Sequence, residues 1–146
     1  MQNLRFDDGF KEFTVNGDKN RIVRFNPADI NLLDRFDQAV KTIEIEQNKL
    51  KEDIELKENG EAIEESEEAL EVIRRANKLI KDQIDFIFDS KVSEVIFGNQ
   101  SPMSTVNGRP LFERVFDAIK PILEKEIVSE QEASQKRINK YTSQIK

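Results

Sequence analysis

Hydrophobic and polar residues alternate near the start of the chain, which is typical of a strand with one face against a core. Phe13 and Val15 alternate with polar neighbours, Asn16-Gly17 follows, and residues 21–25 (RIVRF) continue the pattern. Asn-Gly readily takes the left-handed conformations of a two-residue hairpin turn, so the pattern predicts a β-hairpin over residues 10–25. Because a lone hairpin is marginal in water, we expect it to pack on helices of the same chain, or else to pair its edge with another subunit. The expected anchors are Phe6, Phe10, Phe13 and Phe25.

A helical period replaces the alternation after the hairpin. Asn26 is suited to cap a helix and Pro27 to occupy its first position, which predicts a helix over about residues 27–57. Asn59-Gly60 ends this helix, and a second helix is predicted over about residues 61–88. Apolar residues recur in steps of three and four, broken by the polar residues Gln47, Ser66 and Asn77. The first stripe is Ile30, Leu33, Phe36, Val40, Ile43, Leu50 and Ile54, and the second is Ile63, Leu70, Ile73, Ile80, Ile84 and Ile87.

The short turn between these helices predicts that they are antiparallel neighbours. The simplest interpretation is that each apolar stripe buries the other; the alternative is that part of a stripe also serves a second chain. Asn77 places a polar side chain in the second stripe, where it would set the register in either case. The stripes and the hairpin edge offer more apolar surface than one small core needs, so we expect a homo-oligomer.

The rest of the chain predicts two further helices. Apolar residues restart at helical spacing after Lys91 and end at Gly98, which predicts a short helix over residues 91–97. Residues 99–108 predict a loop, and residues 110–128 a helix kinked at Pro121. The polar residues 129–146 predict a weakly helical tail. The expected fold is mainly α (α+β), a single domain over residues 1–128 with an N-terminal β-hairpin packed on a long antiparallel helical hairpin.

The composition argues against an enzyme. The 146 residues include no His, no Cys and no Trp, which removes thiolate nucleophiles, imidazole bases and His or Cys metal sites. Asp85 and Asp89 lie four residues apart, as an acid–base pair would, but no partner base accompanies them. The glutamates of residues 61–71 lack the glycine turn of a calcium loop and are interpreted as a solvated helix face. We therefore expect no catalytic residue, no metal and no cofactor.

The net charge of −6 is unevenly distributed. Residues 44–71 contain twelve acidic residues and three lysines, a net charge of −9, whereas residues 136–146 contain four cations and no acid. Four cations are too few to neutralise a nucleic-acid backbone, so we expect no nucleic-acid binding. The acidic stretch leaves one alternative, an inhibitor that imitates a nucleic acid. Since no apolar run approaches the roughly 20 residues of a membrane span, we expect a cytoplasmic protein without membrane contact.

Residues 84–98 (IDFIFDSKVSEVIFG) are the most characteristic stretch of the chain. A helix ends with the sequence Ile-Asp-x-Ile-Phe, and a short spacer separates it from Ile-Phe-Gly. A polar loop and then an apolar helix follow. This order resembles the small tail-assembly chaperones of Gram-positive siphophages and prophages, over about residues 80–127. The long acidic helical hairpin and the polar tail after Val128 depart from that family. The matching residues are Ile84, Asp85, Ile87, Phe88, Ile96, Phe97, Gly98, Leu111, Phe112, Val115, Phe116, Ile119 and Ile122.

The resemblance implies a chaperone that acts in the host cytoplasm. Such proteins bind the coiled-coil tape-measure protein before the tail tube polymerises around it, and tail-tube subunits are a further expected partner. An apolar tape measure would aggregate unless its exposed stripes were covered. The residues expected to contact the partner are Phe86, Phe88, Val92, Phe97 and Phe112, and the alternative for each is packing in the core. The rival function is a self-assembling coiled-coil scaffold that binds no client.

Overall fold

Four helices and two small hairpins make up the part of the chain that the computed structural model describes. The described residues are 1–58 and 67–144, with the backbone alone for residues 51–58 and 144. In chain order the elements are β1 (Lys11–Val15), β2 (Asp18–Phe25), α1 (Ile30–Glu58), α2 (Glu67–Phe88), α3 (Ser93–Phe97), β3 (Thr105–Val106), β4 (Arg109–Pro110) and α4 (Leu111–Gln144). The prediction of a mainly helical fold with an N-terminal hairpin is therefore confirmed. None of the described helices is long and apolar enough to cross a membrane.

The first hairpin forms as its turn residues predict. Asn16 and Gly17 both have a positive φ, 54° and 75°, and the strands pair antiparallel with Phe13 opposite Val23. Inside the chain the hairpin is anchored by Phe25, which is stacked on Phe13 at 4.4 Å between ring centroids and lies 5.0 Å from the ring of Phe88. The expected anchoring by Phe6 and Phe10 is wrong, because both side chains are exposed.

Helix α1 begins three residues later than predicted. The Asn26 side chain does accept a hydrogen bond from the backbone N–H of Ala28, at 2.9 Å, but it closes a turn before the helix. The residue directly before the helix is Asp29, and its carboxylate accepts a hydrogen bond from the backbone N–H of Asn31, at 2.9 Å. Ile30, predicted to start the buried stripe, is exposed for the same reason: it lies at the very start of the helix.

Helices α1 and α2 bury their apolar stripes against each other near the hairpin. The most completely buried side chains on α2 are Ile80, Ile84 and Ile87, each with no exposed surface. Burying an isoleucine stabilises a fold by about 1.5–3 kcal/mol, so these three residues form the centre of the core. The buried α1 residues of the same core are Leu32, Phe36, Ala39 and Ile43. The predicted turn at Asn59-Gly60, the start of α2 at residue 61, and Ile63 lie outside the described residues.

Asn77 has a tertiary partner of its own. The Ser101 hydroxyl, in the loop after α3, donates a hydrogen bond to the Asn77 side-chain oxygen. A half-buried amide is stable in an apolar stripe only when it is hydrogen-bonded, and this bond meets that requirement. The polar break in the stripe therefore marks the place where the loop after α3 reaches α2.

The C-terminal third differs most from the prediction. The segment predicted as a loop contains a second hairpin, in which Val106 pairs with Arg109 across Asn107 and Gly108. Helix α4 then continues without interruption through Pro121 to Gln144. Its first half is packed in the core through Phe112, Ile119 and Leu123. From Val128 to Ser143 every side chain is exposed, so the polar tail is the second half of one long helix.

Candidate partner-binding groove

An open apolar groove lies between the first hairpin, the end of α3 and the first half of α4. Its volume is about 680 Å³, which falls within the range of small-molecule ligand pockets, roughly 300–1,000 Å³. Its apolar lining residues are Phe13, Val15, Val23, Phe25, Phe88, Ile96, Phe97, Leu111, Val115, Ala118, Ile119 and Ile122. A surface of this shape and chemistry suits apolar side chains from another polypeptide.

One wall of this groove is α3, a helix too short to form by itself. Its first turn is capped by Asp85, whose Oδ1 accepts hydrogen bonds from the backbone N–H groups of Val92 and Ser93, at 2.9 and 2.8 Å. The Ser93 hydroxyl also lies 3.2 Å from Asp85 Oδ2. An aspartate that accepts two orphan N–H groups both caps the helix and places a negative charge at its positive end. Asp85 therefore fixes where α3 starts.

The other end of α3 is held by Arg21 from the hairpin. Its Nε donates a hydrogen bond to the carbonyl oxygen of Val95 at 2.9 Å, and its Nη2 donates one to the carbonyl oxygen of Ile96. The last carbonyls of a helix have no partner within the helix, so a guanidinium there satisfies two of them. Gly98 then turns the chain with a φ of 59° and a ψ of −129°, which differs from the left-handed helical conformation expected of a glycine cap. The two charged side chains, Asp85 and Arg21, hold α3 from opposite ends.

The polar edge of the groove is formed by Arg114 on α4. Its Nη2 donates a hydrogen bond to the carbonyl oxygen of Val106 in the second hairpin, at 2.9 Å. Its Nε is buried and has no hydrogen-bond partner within the described residues. Arg109 in the same hairpin donates to Asp117 at 2.7 Å, and this bond raises the pKa of the Arg109 guanidinium. The second hairpin is thus fastened to α4 beside the groove.

The five predicted contact residues separate into three groups. Phe88 and Phe97 belong to the core, and part of each side chain also lines the groove. Val92 and Phe112 are core residues, 6% and 3% exposed, which fits the alternative of core packing. Phe86 is 42% exposed and lies outside the groove lining. Contact with a partner stays a prediction for Phe88 and Phe97 through the groove and for Phe86 on the surface.

Asp85, considered with Asp89 as an acid–base pair, has a structural role instead. Asp85 caps α3 and does not face Asp89 as an acid–base pair would; Asp89 is exposed, with a φ of 49° in the turn after α2. Asp7 accepts a hydrogen bond from the N–H of Gly9, as expected for a turn. Most of the acidic run at residues 61–71 lies outside the described residues. Among the residues whose side chains the structure describes, 1–50 and 67–143, no group of three or more carboxylates is placed to hold a metal ion.

Sequence reasoning missed the residues that shape the groove. Arg21 reaches α3 across 74 residues of chain, a contact that no local pattern indicates. Asp85 carried a signal in the sequence, since an aspartate eight residues before a short helix can fold back to cap it. Asp85 does so by accepting the N–H of Val92. Asn107-Gly108 repeats the Asn-Gly pair of the first hairpin and is the signal for the second.

Comparison with known proteins adds no identification. No protein-family model matches this chain, no curated protein resembles it, and no solved structure matches its fold.

Proposed function

We propose that this protein is a non-catalytic chaperone that binds an apolar helical segment of a phage tape-measure protein in its groove and keeps that protein soluble during tail assembly. The observation that carries the proposal is the open groove of about 680 Å³ with its mainly apolar lining. An amphipathic helix buries its apolar face in such grooves, and the hydrophobic effect supplies the affinity.

The resemblance stated from the sequence supports the same surface. Ile96, Phe97 and Gly98, which end the characteristic segment, form one wall of the groove. Four residues of the following helix that belong to the resemblance form the opposite wall: Leu111, Val115, Ile119 and Ile122. The two parts of the sequence pattern thus meet in space around one cavity. Tail-tube subunits remain a second proposed partner.

Ala118 offers a variant that tests the groove without changing the core. Its side chain lines the groove and is exposed, so Ala118→Arg places a long charged side chain there while α4 keeps a good helix former. The matched control is Ala133→Arg, the same substitution at an exposed position of the same helix, away from the groove.

The experiment is co-expression with a siphophage tape-measure protein. We expect the tape measure to be soluble with the wild type and with Ala133→Arg, and to precipitate with Ala118→Arg. Apolar recognition should survive 0.5 M salt, where the Debye length is about 4 Å. A tape measure that is equally soluble without this protein would contradict the proposal and favour the scaffold function. Loss of the complex at raised salt would favour an acidic mimic instead.

A further inference from the structure

The charge that lines the groove is positive. The charged residues in its lining are Arg21 and Arg114, and none of the described lining residues is an aspartate or a glutamate. The chain as a whole has a net charge of −6, so the groove differs in sign from the protein around it. A cationic group within an apolar surface favours partners that bring a negative charge to the same place.

The acids closest to Arg114 along α4 do not neutralise it. Glu113 and Asp117 both pair with Arg109, at 3.5 and 2.7 Å. Arg114 itself donates to the backbone carbonyl of Val106, and it has no carboxylate partner among the residues whose side chains the structure describes. Its positive charge therefore has no counter-charge within the described part of the chain.

The guanidinium of Arg114 also has an unused donor. Its Nε is buried without a hydrogen-bond partner among the described residues. Buried unpaired donors are rare, because they give up their bond to water and gain none in return. The carbonyl that accepts from Arg114 Nη2 belongs to Val106, which is 44% exposed, so water can replace the guanidinium there and the side chain can turn into the groove. In that position Nε and Nη2 form the fork of donors that a carboxylate accepts through both oxygens.

Arg21 has a different role in the same groove. Its Nε and Nη2 donate to the carbonyls of Val95 and Ile96, which fixes the side chain against α3. A backbone carbonyl has no net charge, so the guanidinium keeps its positive charge. Arg21 therefore raises the positive potential of the groove, whereas Arg114 is the group that can turn to bind a carboxylate.

We propose that Arg114 selects client helices that carry one aspartate or glutamate within their apolar face, by pairing with that carboxylate in the groove. This inference rests on the proposed function and names the chemical class of its client. The apolar residues of the helix lie against Leu111, Val115 and Ile122 of α4, and the carboxylate lies against Arg114 at the polar edge. A helix without the acid, or one bound in another register, removes water from the guanidinium and supplies no counter-charge, which is unfavourable. The pair thus fixes both the choice of client and its register.

Two synthetic peptides test this selection with helices of known sequence. Each is an amphipathic helix of about 18 residues with an apolar face of leucines. One carries a glutamate at the centre of that face and the other a glutamine. Fluorescence anisotropy gives the dissociation constant of each peptide from the full chain. We expect the wild type to bind the glutamate peptide at least about tenfold more tightly than the glutamine peptide at low salt, and this preference to fall at 0.5 M salt.

Arg114→Gln removes the charge and keeps a good helix former. It should bind the two peptides within about twofold of each other, and bind the glutamine peptide within about threefold of the wild type. The matched control is Arg137→Gln, the same change at an exposed position of the same helix, which should keep the preference of the wild type. Because the preference is a ratio of two affinities on one protein, partial unfolding of a variant lowers both affinities alike and does not imitate this result.

The outcomes separate this inference from the proposed function. Equal affinity of the wild type for the two peptides would overturn the selection of an acid and leave the groove as an apolar client site. A preference that persists in Arg114→Gln, or that is lost equally in Arg137→Gln, would overturn the assignment to Arg114. If neither peptide bound to the wild type, the groove would not be a helix site and both proposals would fail.

Discussion

The capping of α3 by Asp85 makes a sharp prediction about stability. In Asp85→Ala the backbone N–H groups of Val92 and Ser93 lose their acceptor, and the Ser93 hydroxyl loses the oxygen 3.2 Å away. Val92 and Ser93 are only 6% and 4% exposed, so water replaces the carboxylate poorly. Losing an N-cap costs about 0.5–2 kcal/mol, and a buried unsatisfied donor about 1–3 kcal/mol. We therefore expect Asp85→Ala to lower the free energy of unfolding by about 2–4 kcal/mol.

Two further variants separate the cap from the charge. Asp85→Asn keeps an acceptor oxygen but loses the charge, and should cost about 1 kcal/mol. Asp82→Ala, one turn earlier on α2, removes only an exposed ion pair with Lys78 and should cost about 0.3–0.5 kcal/mol.

Urea unfolding at one fixed protein concentration measures these differences, since self-association would otherwise shift the apparent stability. Hydrogen exchange at residues 92–98 should rise in Asp85→Ala more than elsewhere, because α3 would open first. If Asp85→Ala were no more destabilising than Asp82→Ala, the cap would contribute nothing and the argument would be refuted.

Two predictions concern the walls of the groove. Phe97→Ala should lower the free energy of unfolding by about 3–5 kcal/mol because Phe97 is only 5% exposed. Phe86→Ala should lower it by under about 1 kcal/mol because Phe86 is 42% exposed. Thermal unfolding compares the two variants, and equal losses would contradict the burial argument. Arg21→Lys should cost about 1–2 kcal/mol, since an ammonium cannot make both bonds to α3 in the same geometry. Arg24→Lys, on the exposed face of the same strand, is its control, and an equal loss there would rule out a specific role for Arg21.

The sequence predicted correctly those elements that depend only on residues close together in the chain. The Asn16-Gly17 turn and the recurrence of Ile80, Ile84 and Ile87 depend on backbone preference and helical period, and the structure follows both. The helix predicted to end at residue 128, with only a weakly helical tail after it, instead continues to Gln144. Pro121 removes one donor without ending a helix whose first half is already packed, and polar residues after it are good helix formers.

The groove could not be predicted from the sequence, because its walls come from elements that are far apart along the chain. Whether Phe97 is a contact residue or a core residue depends on how α3 turns, and that is decided by Asp85 and Arg21 from two other elements. The pattern placed Phe97 on an apolar helix face, which is true of both alternatives. The start of α1 was misplaced because Asn26-Pro27 forms a turn that itself resembles a helix start.

The way α3 is held has a consequence for how this protein can change over time. Asp85 and Arg21 bind α3 mainly through its backbone, at the N–H groups of its start and the carbonyls of its end. Backbone groups are the same in nearly every residue type, so Val95 and Ile96 can be replaced without loosening either bond. Ile96 lines the groove. Because Val95 and Ile96 also pack against the core, an apolar replacement of similar size there would reshape the wall of the groove while both hydrogen bonds are kept.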